Sequence, residues 1–162
     1  MNTEKANTLT NTAPSKDAGR GGIKRIALFG STGSIGTQAL EVIAANPDRF
    51  SAEILTAQNN EELLIKQALQ FNPNIVVIGD EKKYTQVKEA LAATGIKVFA
   101  GESSLEEVAA MDCYDLMLAG IVGYAGLKPT LKAIENKKII ALANKETLVV
   151  AGDIIMQKAV EN

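Results

Sequence analysis

The sequence predicts an α/β fold: a doubly wound, mostly parallel sheet with helices on both faces. Two observations carry that prediction. Short apolar, β-rich runs alternate with helical patterns from Lys24 onward, and strands that are apolar throughout need cover on both faces, which crossover helices over a parallel sheet provide. The first run, Ile26 to Phe29, feeds directly into Gly30-Ser31-Thr32-Gly33-Ser34-Ile35-Gly36 and then a helical pattern. That order of strand, glycine turn and helix belongs to a Rossmann-like domain.

Each element has a local signature. Ile26 to Phe29 is an inner strand, and Thr37 to Ala45 sets Ala39, Leu40, Ile43 and Ala44 at helical spacing before Asn46-Pro47-Asp48 closes the helix. Ala52 to Ala57 is the second strand, and Glu61 to Phe71 is the second helix, ended by Asn72-Pro73-Asn74. Asn74 to Ile78 and Glu81 to Ala93 form the third pair, with Gly95 marking the helix end. Lys97 to Ala100 precedes a short helix at Leu105 to Met111, Asp115 to Ala119 precedes Leu127 to Glu135, and Ile139 to Ala143 precedes Thr147 to Val160. No repeat or further linker breaks this rhythm, so residues 23–162 are expected to form one domain. Met1 to Gly22 is polar and small-residue rich with hardly an apolar side chain beyond Leu9. It cannot repay its ordering entropy by burial, and 1–22 is expected to be a disordered tail.

Composition excludes several classes of function. A chain of 162 residues with 46% apolar content can bury a real core. A net charge of −2 with scattered basic residues leaves no footprint for nucleic acid. The apolar runs are too short to span a bilayer and no signal-peptide core opens the chain, so neither nucleic acid nor membrane is an expected partner. Glu4 and Asp17 count against a transit peptide, which makes the cytoplasm the expected location and the plastid stroma the alternative. Cys113 is the single cysteine and there is no histidine, so a Cys-His or Ser-His nucleophile is excluded within this chain.

The glycine turn is built for a phosphate. Glycines accept positive φ and let backbone N–H groups approach a pyrophosphate, which the positive end of the following helix also attracts. The spacing is G-x-x-G-x-x-G, and Gly36 is followed by Thr37-Gln38 rather than Lys-Ser or Lys-Thr. A P-loop kinase or GTPase therefore lacks its lysine. About twenty residues beyond such a turn a carboxylate ordinarily holds the NAD ribose. Here the stretch is Leu55-Thr56-Ala57-Gln58-Asn59-Asn60, which has no acid to repel a 2′-phosphate and has amides that can donate to one. NADP is favoured over NAD. Asn59 and Asn60 are also placed to cap the helix that starts near Glu61.

Other constellations carry less. Tyr84…Lys88 and Tyr124…Lys128 match the Tyr-x-x-x-Lys pair of short-chain dehydrogenases, but one falls on the third crossover helix and the other is interrupted by Gly126 without a partner serine upstream. Glu81, Lys82, Lys83 and Lys88 read as a solvated helix face. By contrast, Asn144-Lys145-Glu146 interrupts an apolar run where the sixth strand should end, the edge at which open α/β sheets bind ligands. Asn144 can bond an amide or ribose edge, Lys145 supplies a cation for a phosphate or carbonyl, and Glu146 can accept from hydroxyls.

Taken together, Gly30 to Gly36, Ala119-Gly120-Ile121-Val122-Gly123-Tyr124-Ala125-Gly126-Leu127-Lys128-Pro129-Thr130 and Ala143-Asn144-Lys145-Glu146-Thr147-Leu148-Val149 closely resemble the 1-deoxy-D-xylulose 5-phosphate reductoisomerase family, over Lys24 to the end. The resemblance implies an oxidoreductase that rearranges 1-deoxy-D-xylulose 5-phosphate and reduces the product with NADPH to 2-C-methyl-D-erythritol 4-phosphate, for non-mevalonate isoprenoid synthesis. It implies pyrophosphate contacts at Thr32, Gly33, Ser34 and Ile35, adenosine-side contacts at Gln58, Asn59 and Asn60, further cofactor contacts at Asn144 and Glu146, and a substrate contact at Lys145. Many relatives have a basic residue at the place of Asn59, so here the 2′-phosphate is expected to meet neutral donors. The family's Asp-x-Glu metal segment would follow beyond Asn162. The resemblance thus implies an N-terminal cofactor domain without catalytic or metal-binding residues of its own, inactive alone, whose divalent Mg or Mn and homodimer contacts belong to the missing catalytic domain. Two alternatives are a non-catalytic nucleotide-binding module and the cofactor domain of another NADP-dependent oxidoreductase such as a semialdehyde dehydrogenase.

Overall fold

The computed structural model describes residues 22–143 and 145–161. The expected tail, Gly22 apart, lies outside the described residues, as does Asn144. The strands are β1 (Lys24–Phe29), β2 (Phe50–Ala57), β3 (Ile75–Ile78), β4 (Lys97–Ala100), β5 (Leu116–Ala119) and β6 (Ile139–Leu142), in one sheet of order β4-β3-β2-β1-β5-β6. Every pairing is parallel. The helices are α1 (Ser34–Ala45), α2 (Glu61–Phe71), α3 (Tyr84–Ala90), α4 (Glu102–Ala109), α5 (Leu127–Glu135) and α6 (Lys145–Glu161). The fold is the doubly wound, Rossmann-like α/β sheet. The chain starts mid-sheet at β1, winds outward to β4, and returns to lay β5 on the other side of β1. That reversal puts the topological switch point, where ligand crevices open, at the carboxyl ends of β1 and β5.

Alternation along β1 divides the core. Ile26 and Leu28 face a cluster with Leu40 and Ile43 of α1 and Leu64 and Ala68 of α2, whereas Ala27 and Phe29 face Leu105 and Val108 of α4 and Ala133 of α5. A strand buried on both faces has to be apolar at every position, which is why Ile26 to Phe29 is a continuous run. Helix α6 packs onto α5 through Ile155 against Leu127 and Ile134.

Three helices open earlier than apolar periodicity places them, because a first turn is set by backbone and charge rather than by buried side chains. Helix α1 begins at Ser34 instead of Thr37, and α6 at Lys145 instead of Thr147. Helix α4 begins at Glu102 rather than Leu105, directly after Gly101 at φ +89°, and its first-turn acid suits the helix dipole. The expected helix over Glu81 to Ala93 divides. The Asp80 carboxylate accepts from Lys82 N at 3.0 Å and tightens Glu81–Lys83 into a 3₁₀ turn, while Thr94 Oγ1 donates to the Leu91 carbonyl at 2.7 Å beyond the end of α3.

Candidate functional site at the sheet switch point

β1 and β5 run in register to Phe29 and Ala119, and Gly120 N donates to the Phe29 carbonyl at 2.8 Å. The next residues almost touch. A Cβ on Gly30 would stand 2.9 Å from the Gly120 carbonyl oxygen, and Gly30 sits at φ +93°, a conformation that L side chains rarely adopt. Gly36 carries a different constraint: its Cβ would lie 2.3 Å from the Gly30 carbonyl oxygen, so the first turn of α1 can close onto the loop only without a side chain there.

Between these two glycines the loop is stitched to its neighbours by a buried polar network. Gly30 N donates to Thr56 Oγ1 at 2.9 Å and Ser31 N to the Thr56 carbonyl at 2.8 Å. Ser31 Oγ donates to Gln67 Oε1 at 2.7 Å, and Gln67 Nε2 returns a bond to the Ser31 carbonyl at 2.9 Å. Ser31, Thr56 and Gln67 are all buried, and none of their side-chain polar atoms is left unpaired. Sequence reasoning missed this support, although a polar Gln67 beside Ala68 and Leu64 on the apolar face of α2 was a readable signal.

The outer part of the loop is open. Thr32 is half-buried, and Gly33, Ser34 and Ile35 are exposed. The N-cap Gly33 has no side chain to occupy the first-turn amides, and the first turn of α1 carries no acid. The leading N–H groups of a helix have no intrahelical acceptor, so those of Ser34 and Ile35 stand available to an anion at the positive end of α1. Gly33 corrects one expectation: its φ is −77° and its Cβ would meet the Gly30 carbonyl oxygen at an ordinary 3.5 Å, so the turn's positive φ lies at Gly30 alone of its three glycines.

Gln58, Asn59 and Asn60 follow β2, the strand beside β1, and all three are exposed at the same edge. Asn60 caps α2 by accepting from Leu63 N at 3.1 Å, as expected. Asp80 N donates to the Gln58 carbonyl at 2.7 Å and Gly79 N to the Ala57 carbonyl at 2.8 Å, which ties the end of β3 to this loop. Lys83 departs from the solvated face expected of it. Its ammonium donates to the Asn59 carbonyl and pairs with Glu61 Oε2 at 2.6 Å. The Lys83 hydrogen bond, helped by the backbone N–H of Glu61, holds the Glu61 carboxyl below its ordinary range.

Lys145 and Glu146 open α6 directly after the β6 end, so their backbone stands at the carboxyl edge that also carries the glycine loop; their side chains lie outside the described residues. Both Tyr-x-x-x-Lys matches stay apart from this chemistry. Lys88 Nζ sits 5.3 Å above the Tyr84 ring as a cation–π pair, and Lys128 pairs with Glu106 at 3.5 Å. A separate notch of about 320 Å³ opens at the β4 edge, lined by Glu81, Tyr84, Val98, Phe99 and Ala100. It lacks the helix N-terminus and glycine loop of the switch point, so the crevice is the stronger candidate. Among the described residues no three His, Cys, Asp or Glu side chains gather to hold a metal, and no helix is long and apolar enough to cross a membrane.

A family model described as 1-deoxy-D-xylulose 5-phosphate reductoisomerase matches residues 26–152. Curated relatives carrying that name include one from Bacteroides thetaiotaomicron, 57% identical over 136 residues, which cover 84% of this chain and 35% of the relative. Another from Porphyromonas gingivalis is 52% identical over 139 residues, covering 86% and 36%. The chain therefore spans about a third of the length of these relatives. Among solved structures, the reductoisomerase from Zymomonas mobilis in complex with NADPH superposes with a TM-score of 0.83 at 41% identity, over 86% of this chain and 37% of that one. A reductoisomerase in complex with NADPH, fosmidomycin and magnesium gives 0.82 at 34% identity, over 86% and 34%.

Proposed function

This chain belongs to the 1-deoxy-D-xylulose 5-phosphate reductoisomerase family, and from that membership we propose that it is the NADPH-binding part of an oxidoreductase that rearranges and reduces 1-deoxy-D-xylulose 5-phosphate to 2-C-methyl-D-erythritol 4-phosphate in isoprenoid synthesis. The observation that carries the reading is the crevice itself: Gly30 and Gly120 in near contact at the β1–β5 switch point, leading into an uncapped helix N-terminus. NADPH, when bound, supplies the hydride. The chain's own residues position it.

Thr32, Gly33, Ser34 and Ile35 receive the pyrophosphate, with the open amides those of Ser34 and Ile35 at the head of α1, while Ser31, Thr56 and Gln67 hold the loop so that those amides need no reorganisation on binding. Gln58, Asn59 and Asn60 take the adenosine side, one strand away. Asn144 and Glu146 take the nicotinamide side at the β6 end. Lys145 holds the sugar phosphate substrate. Solved relatives contain magnesium; among the described residues of this chain no three His, Cys, Asp or Glu side chains gather to hold one. The reading extends to a cytoplasmic homodimer, supported by family resemblance and by the bacterial origin of the relatives.

Calorimetric titration of the chain tests the cofactor assignment. NADPH is expected to bind more tightly than NADH; equal affinities, or tighter NADH, would remove it. In a protein carrying this chain at the full length of its relatives, Lys145→Ala should cut kcat/KM for the sugar phosphate about tenfold to a hundredfold, the worth of a charge-assisted contact. NADPH affinity should hardly change.

A further inference from the structure

We propose that Lys83, a residue outside the cofactor loop, supplies the cation that recognises the 2′-phosphate of NADPH. The inference rests on the NADPH reading above and deepens it. The loop Thr56-Ala57-Gln58-Asn59-Asn60 has no charged side chain, yet a phosphate that is nearly dianionic at neutral pH is best selected over a hydroxyl by a charged donor. Lys83 brings one. It stands at the end of the 3₁₀ turn after β3, the strand next to β2, and its ammonium reaches across to the Asn59 carbonyl and to Glu61 Oε2.

Three features fit this role better than that of an incidental surface pair. The base of Lys83 is fixed to the loop, because Gly79 N and Asp80 N donate to the carbonyls of Ala57 and Gln58, and the Asp80 carboxylate sets the turn that aims the lysine. The side chain is 30% exposed, so it is ordered by its partners yet remains open to a ligand beside Asn59. The pairing also neutralises Glu61, whose carboxylate at the head of α2 would otherwise repel a phosphate. On binding, the ammonium bridges Glu61 and the 2′-phosphate, while the exposed amides of Gln58 and Asn59 add neutral donors. NADH offers only a hydroxyl at that position. Lys83 therefore governs discrimination, not binding in general.

The test titrates the 162-residue chain and three variants with NADPH and with NADH. Lys83→Gln should weaken NADPH by about tenfold or more, the loss of a charged hydrogen-bond partner, and leave NADH unchanged. Lys83→Arg should keep the preference. Glu61→Gln should bind NADPH at least as tightly as the parent, since it frees the ammonium from a competing carboxylate, and it reads the same effect should Lys83→Gln not fold. An unchanged NADPH-to-NADH ratio in Lys83→Gln overturns the proposal, as does an equal loss of both cofactors, which would make Lys83 a brace for the loop. A parent chain that does not prefer NADPH fails differently: it removes the cofactor reading itself, and this inference with it.

Discussion

Ser31, Thr56 and Gln67 are polar side chains whose burial is repaid only while each keeps its partners. Gln67→Leu takes the side-chain donor from the Ser31 carbonyl and leaves the Ser31 hydroxyl only its longer bond to the Thr56 carbonyl at 3.2 Å, which should cost about 1–3 kcal/mol and loosen the turn. Urea melts report the first effect, and weaker NADPH binding by the folded variant reports the second. At the opposite edge of the sheet, Arg25 holds Asp115 through Nε at 3.2 Å, Nη2 at 2.6 Å and its backbone N at 2.8 Å. The guanidinium hydrogen bond holds the Asp115 carboxyl below its ordinary range. A lowered folded pKa adds stability that is complete above the unfolded value of about 3.9 and is lost as pH falls through the folded one. Asp115→Asn should therefore cost about 1 kcal/mol at neutral pH, modest because both partners are partly solvated, and the urea midpoints of variant and parent should converge below about pH 4. A constant gap between them at all pH values would show that the pair does not titrate with folding.

At the scale of elements, the strand–turn–helix unit depends on two glycines for separate reasons. Gly36→Ala forces a methyl against the Gly30 carbonyl and should destabilise by about 1–3 kcal/mol, whereas Gly33→Ala, whose methyl would meet that carbonyl only at ordinary contact distance, should cost less than about 1 kcal/mol, the worth of a poorer N-cap. Thermal melts of the two variants decide this. The exposed Gly33 remains the place where Gly33→Val should block the pyrophosphate without unfolding the chain, and NADPH titration of that variant checks it. How far the sequence could be read differs between elements. The α2 and α5 boundaries and the β4 run are evident from apolar period and punctuation alone, because each is bounded by a turn residue or by a change of period. The third crossover was not legible as two pieces, since its division comes from the side chains of Asp80 and Thr94 bonding backbone rather than from any apolar pattern. The glycine loop and the acid-free stretch after β2 were legible as motifs. Lys83 was not, because its approach to Asn59 follows from the β2–β3 pairing and lies 24 positions away in sequence. Equally hidden was Gly120 as the partner of Gly30, which needs the register of β1 on β5.

Across the whole molecule, the edge of the sheet at the carboxyl ends of β1 and β2 is the one left open for binding. Two apolar clusters cover its faces and the Arg25–Asp115 pair closes one end, so the other end can carry an open helix terminus and unsatisfied amides without a packing role. NADPH, bound as proposed, lies across the carboxyl ends of β2, β1 and β5. Amide chemical shifts of the chain, followed by nuclear magnetic resonance as NADPH is added, test this placement most directly. The largest changes are expected on Gly30 to Gly36, Gln58 to Asn60 and Gly120. Changes confined to the β4-edge notch around Tyr84 and Phe99, or no change anywhere, would contradict it.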